Sequence, residues 1–127
     1  MRNPMAPLDM VTNCYYTISM IMELLGHKDY IRVLLALEEK PLRFSQIQKA
    51  LKLSPVQLDR ALKFLRRGLW VIPHVDPGQG GRFFVQYRLG KRGTAFLRSF
   101  DVFSRDAQRR MAAIGSSEVA ELRSLYQ

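Results

Sequence analysis

The 127-residue sequence holds one cysteine, Cys14, and two histidines, His27 and His74. A single thiol cannot form a disulfide framework within a chain, and three ligands far apart in sequence do not make a zinc site. No metal or other cofactor is therefore expected. No apolar run approaches the ~18–20 residues of a membrane span, and the first 14 residues lack the apolar core of a signal peptide. Catalytic patterns are also missing. There are no paired carboxylates, no Ser or Cys partnered with His, and no glycine-rich nucleotide fingerprint, so the expectation is not an enzyme. Internal repeats and low-complexity tracts are absent too. These absences leave a soluble, cytoplasmic chain with no membrane partner. Its length supports one domain, and 47% hydrophobic with 10% aromatic residues is enough to build a core.

Acidic residues are scarce as well: 11 Asp and Glu face 20 Lys and Arg, a net charge of +9. The imbalance is local. Residues 40–98 hold 13 basic side chains and two acids, Asp59 and Asp76, for a net +11, whereas the remainder carries a net −2. A concentrated positive field in a folded segment points to a polyanion, most often nucleic acid, and otherwise to a solvated face.

Local signals then place the elements. Met10, Tyr15, Ile18, Ile21, Met22 and Leu25 recur at helical spacing after Asp9, a plausible cap, and Gly26-His27 breaks the pattern. A second helix is expected over about 28–39, with Pro41 stopping it. Ser45 to Gln48 reads as a capping box opening a short helix, and Ser54-Pro55-Val56-Gln57 repeats the signal nine residues later with Pro at the first helical position. Two helix starts so close together mean a short helix, a tight turn and a second helix ending near Gly68, the helix-turn-helix arrangement. Leu69–Ile72 and Phe83–Leu89 read as strands around the turn cluster 76–81. A long helix is expected from Thr94 to Ile114, with an apolar stripe of Phe96, Phe100, Phe103, Ala107, Met111 and Ile114. Ser117 can cap a last one through Leu125.

This order defines a mainly α chain with a small β-hairpin wing: a winged helix-turn-helix domain over 1–127. Its N-terminal helix falls in 8–26, the winged core in 27–97 and C-terminal helices in 98–127. On the helical wheel of 54–67, Leu58, Ala61, Leu62 and Leu65 make one stripe. The opposite face presents Val56, Arg60, Lys63 and Arg67, flanked by Gln57 and Asp59. Arg60 and Lys63 can reach guanine edges or phosphates, Gln57 can pair with adenine, and Val56 can meet a thymine methyl. Asp59 opposes phosphate unless a neighbouring cation neutralises it. Arg82, beside Gly78, Gly80 and Gly81, stands where a wing residue could enter the minor groove. The candidate DNA-binding residues are thus Ser54, Val56, Gln57, Arg60, Lys63, Arg67 and Arg82, and the expected partner is double-stranded DNA.

Four stretches resemble the HxlR-type winged-helix regulators, within the wider MarR/ArsR-like group. They are Leu24-Leu25-Gly26-His27-Lys28 with Leu34-Leu35 and Leu37, then Leu42 to Ile47, then Ser54 to Leu69, and Tyr87-Arg88-Leu89 with Gly93 and Leu97. The sequence departs from the family pattern at Asp29, where Trp is usual, and at Gly90, where Thr is usual, and Arg66-Arg67-Gly68 is one residue shorter. The resemblance implies a homodimeric transcription regulator on a pseudo-palindromic operator, with the terminal helices as dimerisation elements. The apolar content of 10–25 and 96–114 exceeds what a small domain covers, which supports a second copy. Some members of the family sense oxidants through an N-terminal cysteine, which would make Cys14 a redox-sensing residue. No local positive charge favours its thiolate, so a buried interface cysteine is the competing reading. A small-molecule effector is left open. Two alternatives to DNA binding stand at this point: a protein-docking winged helix, which needs Val56 and Phe64 to form an apolar patch, and an RNA-binding one.

Overall fold

The computed structural model describes residues 17–114, 121 and 123–125. The chain forms two compact units, residues 1–94 and 95–127.

In the first unit, helix α1 is described over 17–25 and ends where the Gly26 N–H donates to the Met22 and Glu23 carbonyls. Its expected cap, Asp9, and the apolar positions Met10 and Tyr15 lie outside the described residues. Helix α2, Lys28–Ala36, is three residues shorter than its periodicity suggests. It buries Tyr30, Val33 and Leu34, and Leu37 closes its last turn by donating to the Val33 and Leu34 carbonyls. Asp29 lies in the first turn, where a carboxylate complements the helix dipole, and pairs with Arg32 at 3.2 Å. A tryptophan at position 29 could do neither. Arg32 also donates to the Leu51 carbonyl at 2.7 Å, so one guanidinium joins α2 to the end of the following helix.

Strand β1 is only Leu42–Arg43, and α3, Phe44–Leu51, follows directly. The cap expected at Ser45 is corrected here. Arg43 is the N-cap, its N–H donating to Gln46 Oε1 at 2.9 Å, and Ser45 sits inside the first turn. Pairing of β1 with the hairpin fixes the chain direction at Arg43 and starts the helix earlier than side-chain chemistry alone indicates. The three-residue turn 52–54 leads into α4, Pro55–Arg67. At its N-terminus both arms of the capping box form: Ser54 Oγ accepts from the Gln57 N–H at 3.2 Å, and Gln57 Oε1 accepts from the Ser54 N–H at 3.0 Å. Leu58, Ala61, Leu62 and Leu65 are all buried, as their spacing predicts.

The end of α4 differs from expectation in its mechanism. Gly68 is the cap residue, but its φ of −87° is ordinary; Leu69 is the left-handed residue, with φ +61°. The Leu69 N–H donates to the Arg66 carbonyl and the Trp70 N–H to the Leu65 carbonyl, the paired bonds of a Schellman motif. Arg92 adds a third closure by donating to the Gly68 carbonyl at 3.1 Å.

Strands β2, Val71–Pro77, and β3, Phe83–Leu89, pair antiparallel from Val71↔Leu89 to Pro77↔Phe83. With Leu42↔Tyr87 and Arg43↔Gln86 they complete a three-stranded sheet in the order β1-β3-β2. Pro77 extends β2 beyond the expected turn at 76. As β2 is an edge strand, a missing N–H there costs little. Helix α5, Lys91–Ala113, starts three residues before the expected Thr94, which instead donates from its hydroxyl and N–H to the Gly90 carbonyl. Gly90 is buried in this turn: a Cβ there would lie 2.4 Å from the Leu69 carbonyl oxygen. Space accounts for the departure from Thr.

The core of this unit is Leu24, Tyr30, Val33, Leu34, Leu37, Ile47, Leu53, Leu58, Ala61, Leu62, Leu65, Trp70 and Val71. It holds α2, α3 and α4 in a fixed angular relation and seats the sheet at the C-terminal end of α4. This is a winged-helix fold, mainly α with a small antiparallel sheet. In the second unit, Phe96 and Phe100 stack at 5.8 Å, and exposed pairs Asp101–Arg105 and Asp106–Arg110 lace the helix surface at i, i+4. Ser117 lies outside the described residues; 121 and 123–125 are helical.

Candidate nucleic-acid interface

The outward side of α4 follows from its buried stripe. With Leu58, Ala61, Leu62 and Leu65 in the core, Val56, Asp59, Arg60, Lys63, Arg66 and Arg67 are all exposed. Nothing but the helix itself holds these side chains in register, so the capping box at its start matters directly: it fixes where the first turn begins.

The candidate residues are not equivalent. Ser54 and Gln57 are engaged with each other's backbone. Gln57 keeps its amide N–H groups available, while its carbonyl oxygen already serves the cap. Lys63 lies 3.0 Å from Asp59, so these two form an exposed i, i+4 pair. Among the described residues, Arg60 and Arg67 have no ion-pair or hydrogen-bond partner. Arg60 additionally borders a cleft of about 210 Å³, formed with Gln57 and with residues 26–30 at the start of α2. Lys28 is exposed and lines the same cleft as a second cation, with the Asp29 carboxylate also in its wall. Sequence reasoning missed that neighbour, because two helix starts 27 residues apart show no common periodicity.

Phe64 does not join Val56 in an apolar patch. It is half-buried, its ring stacked on Tyr30 at 4.8 Å, and Tyr30 in turn stacks on His27 at 4.4 Å. The aromatic row belongs to the contact between α2 and α4.

The wing places Arg82 in the open. Gly78, a short 3-10 turn over Gln79–Gly81, and Arg82 close the hairpin, with the Gly78 N–H donating to the Arg82 carbonyl at 2.6 Å. Gly80 and Gly81 adopt φ of +78° and +76°, which the tip's sharp reversal requires. Nothing lies within 4 Å of a Cβ built at either, so these two positions are open, whereas Gly78 packs against the Phe84 ring. From β1 the Arg43 guanidinium reaches out along the hairpin and covers the Phe84 ring at 4.4 Å, one residue from its outer end.

Among the described residues, no three His, Cys, Asp or Glu side chains converge as a metal site, and no helix is long and apolar enough to cross a membrane. Cys14 lies outside the described residues.

No protein-family model matches the sequence, and no curated protein does. Solved structures do. The reduced form of the transcriptional regulator YodB from B. subtilis matches with a TM-score of 0.63 and 24% identity, over 83% of this chain and 93% of that one. A PadR-like transcription factor from B. fragilis matches with a TM-score of 0.59 and 18% identity, over 81% and 99%. A mutant of MepR from S. aureus bound to an oligodeoxyribonucleotide matches with a TM-score of 0.59 and 17% identity, over 99% and 94%. At these identities the likeness establishes the winged-helix fold.

Proposed function

We propose that this chain is a sequence-specific, double-stranded DNA-binding transcription regulator that acts as a homodimer in the cytoplasm, in the HxlR-like subgroup of winged-helix regulators. The observation that carries the reading is the outward face of α4: Val56, Arg60, Lys63 and Arg67 exposed opposite a fully buried stripe, behind a doubly closed cap. In this reading α4 enters the major groove, with Ser54, Val56, Gln57, Arg60, Lys63 and Arg67 at base edges and phosphates. Arg82 reaches the backbone or minor groove. Phosphate contacts supply affinity and base contacts supply selectivity. The similar structures are transcriptional regulators, one of them a MepR mutant with DNA bound, and this supports a binding rather than an enzymatic role.

Two exposed apolar rows support the homodimer. Ile18, Met22 and Leu25 follow i, i+4, i+7 spacing on α1, and Phe103 and Met111 stand exposed on one side of α5, with Ile114 exposed just past its end. Surfaces of this kind call for cover, and an isologous pair supplies it. The stacking of Phe64 on Tyr30 weighs against the protein-docking alternative, which needs that ring beside Val56.

The test is fluorescence anisotropy against duplex pools over a salt series. The expected result is binding whose logarithmic affinity falls linearly with the logarithm of salt, and selection of a pseudo-palindrome with half-sites ~34–36 Å apart. Absence of duplex binding at low salt, or preference for RNA in competition, overturns the reading. Asp59→Asn is expected to raise affinity several-fold, because it frees Lys63 and removes a carboxylate facing phosphate. Its stability should change by no more than about 0.5 kcal/mol, as expected for an exposed i, i+4 pair. Thermal melting alongside the titration checks both statements.

A further inference from the structure

The wing carries an exposed apolar face that the fold itself does not use. Register puts Pro73, Val75 and Pro77 directly across from Tyr87, Val85 and Phe83, on one face of the hairpin. Val75, Val85 and Phe83 are all exposed, Phe83 at 74%. The third strand supports only the base, pairing with Tyr87 and Gln86. Beyond Gln86, β3 therefore continues for three residues, roughly 10 Å, with only β2 beside it. Phe83 lies at the far end of that projection, next to Arg82 and the open glycine tip.

Arg43 covers Phe84 on the other face, but on this face three exposed apolar side chains lie together, the kind of patch that marks a contact. The face is small, six side chains, whereas a stable protein–protein interface takes ~20–30 residues a side. Its cationic neighbour is Arg82; the wing's one acid, Asp76, is exposed opposite Phe84 on the other face of the hairpin, and the segment from 40 to 98 carries a net +11. A small apolar tip flanked by a cation fits a groove whose walls are deoxyribose and whose rims are phosphate. The minor groove, ~6 Å wide, admits such side chains, and apolar residues are used there beside arginine.

We infer that Phe83, backed by Val75 and Val85, is a DNA-contacting residue that packs its ring on the sugar and base edges of the minor groove while Arg82 meets the phosphates or groove floor. The inference rests on the DNA-binding reading above and assigns to the wing a non-ionic share of the affinity.

The test uses the full chain and a labelled duplex selected from a random pool by the wild-type protein. Phe83→Ala is expected to weaken binding about tenfold, the order expected for uncovering part of a buried aromatic side chain. The logarithmic salt slope should stay unchanged, since no phosphate contact is lost. Phe83→Leu should keep most of the affinity. Arg82→Ala should weaken binding and also reduce the slope by about 1. As Phe83 is exposed, melting temperatures of the Phe83 variants should match the wild type. Unchanged affinity of Phe83→Ala on a duplex that the wild type binds overturns the inference and leaves the DNA-binding reading intact. A change of sedimentation with unchanged affinity also overturns it, assigning the face to contacts between copies. Failure of the wild-type chain to bind any duplex defeats the broader reading itself.

Discussion

Gly68→Ala is expected to destabilise the protein by about 2 kcal/mol, lowering the melting temperature by roughly 7–10 °C. The backbone is not the reason. Gly68 has φ −87° and ψ 1°, which alanine adopts freely, and loss of glycine alone favours the folded state slightly. The obstacle is space. A Cβ at position 68 would lie 2.3 Å from Trp70 Nε1 and 2.6 Å from Trp70 Cδ1 and Met20 Cε. The end of the methionine can swing away, but the indole is 4% exposed and has no room to turn. Trp70 follows the Schellman turn directly, so its displacement also strains the bonds that end α4.

The neighbouring substitution has the opposite sign. Leu69 holds a left-handed backbone that costs an L residue about 1–2 kcal/mol, and its side chain is 60% exposed, so little burial repays it. Leu69→Gly is expected to stabilise by about 1 kcal/mol, after the entropy of the freer unfolded chain is subtracted. Differential scanning calorimetry on the two variants reads both effects. A neutral Gly68→Ala or a destabilised Leu69→Gly contradicts this division of roles between space and backbone conformation.

That pair of residues also marks the boundary of what the sequence makes legible. The start of α4 is written in local chemistry: Ser, Pro and Gln at fixed offsets can only close a helix cap there, and the box forms as expected. The stripe of Leu58, Ala61, Leu62 and Leu65 is legible for the same reason, because period and burial are one fact seen twice. The end of α4 depends on how Trp70, two residues past Gly68, packs and on Met20, brought in from α1, so a glycine at the right place suggests the wrong mechanism. The starts of α3 and α5 fail similarly. A two-residue strand has no periodicity to detect, yet its pairing with β3 sets the helix start at Phe44. The close approach of Gly90 to the Leu69 carbonyl sets the other.

The candidate site divides along the same line. Exposure of Arg60, Lys63 and Arg67 follows from the wheel, and the Asp59–Lys63 pair follows from i, i+4 spacing. What the wheel does not contain is which polar groups are already committed. Gln57 serves the cap and Phe64 serves the α2–α4 contact, and both were interchangeable with their neighbours until partners were visible. The wing's apolar face is similarly hidden. Alternation in 83–89 looks like any half-buried strand, and only the shortness of β1 leaves its outer half bare.

The largest effect on binding is expected from Arg60→Ala, a loss of about 1–3 kcal/mol in affinity, equivalent to roughly five- to 150-fold. Arg60 is the first cation within α4, near the end that would reach base edges if α4 is a recognition helix. It has no partner among the described residues, so no internal ion pair must break before it meets DNA, unlike Lys63. Its bidentate geometry favours a guanine edge, and the form of the loss identifies the contact. If Arg60 reads a base, the alanine variant loses discrimination at one position of each half-site and binds unrelated sequences nearly as before. If it holds a phosphate, affinity falls alike on all sequences and the salt slope drops by about 1. Arg60→Lys separates these further, retaining the phosphate contact but not the bidentate one. Anisotropy titrations on the selected duplex and on single-position variants of it decide between them. Wild-type affinity and selectivity in Arg60→Ala would remove the residue from the interface and, with it, the orientation of α4 on which the DNA reading depends.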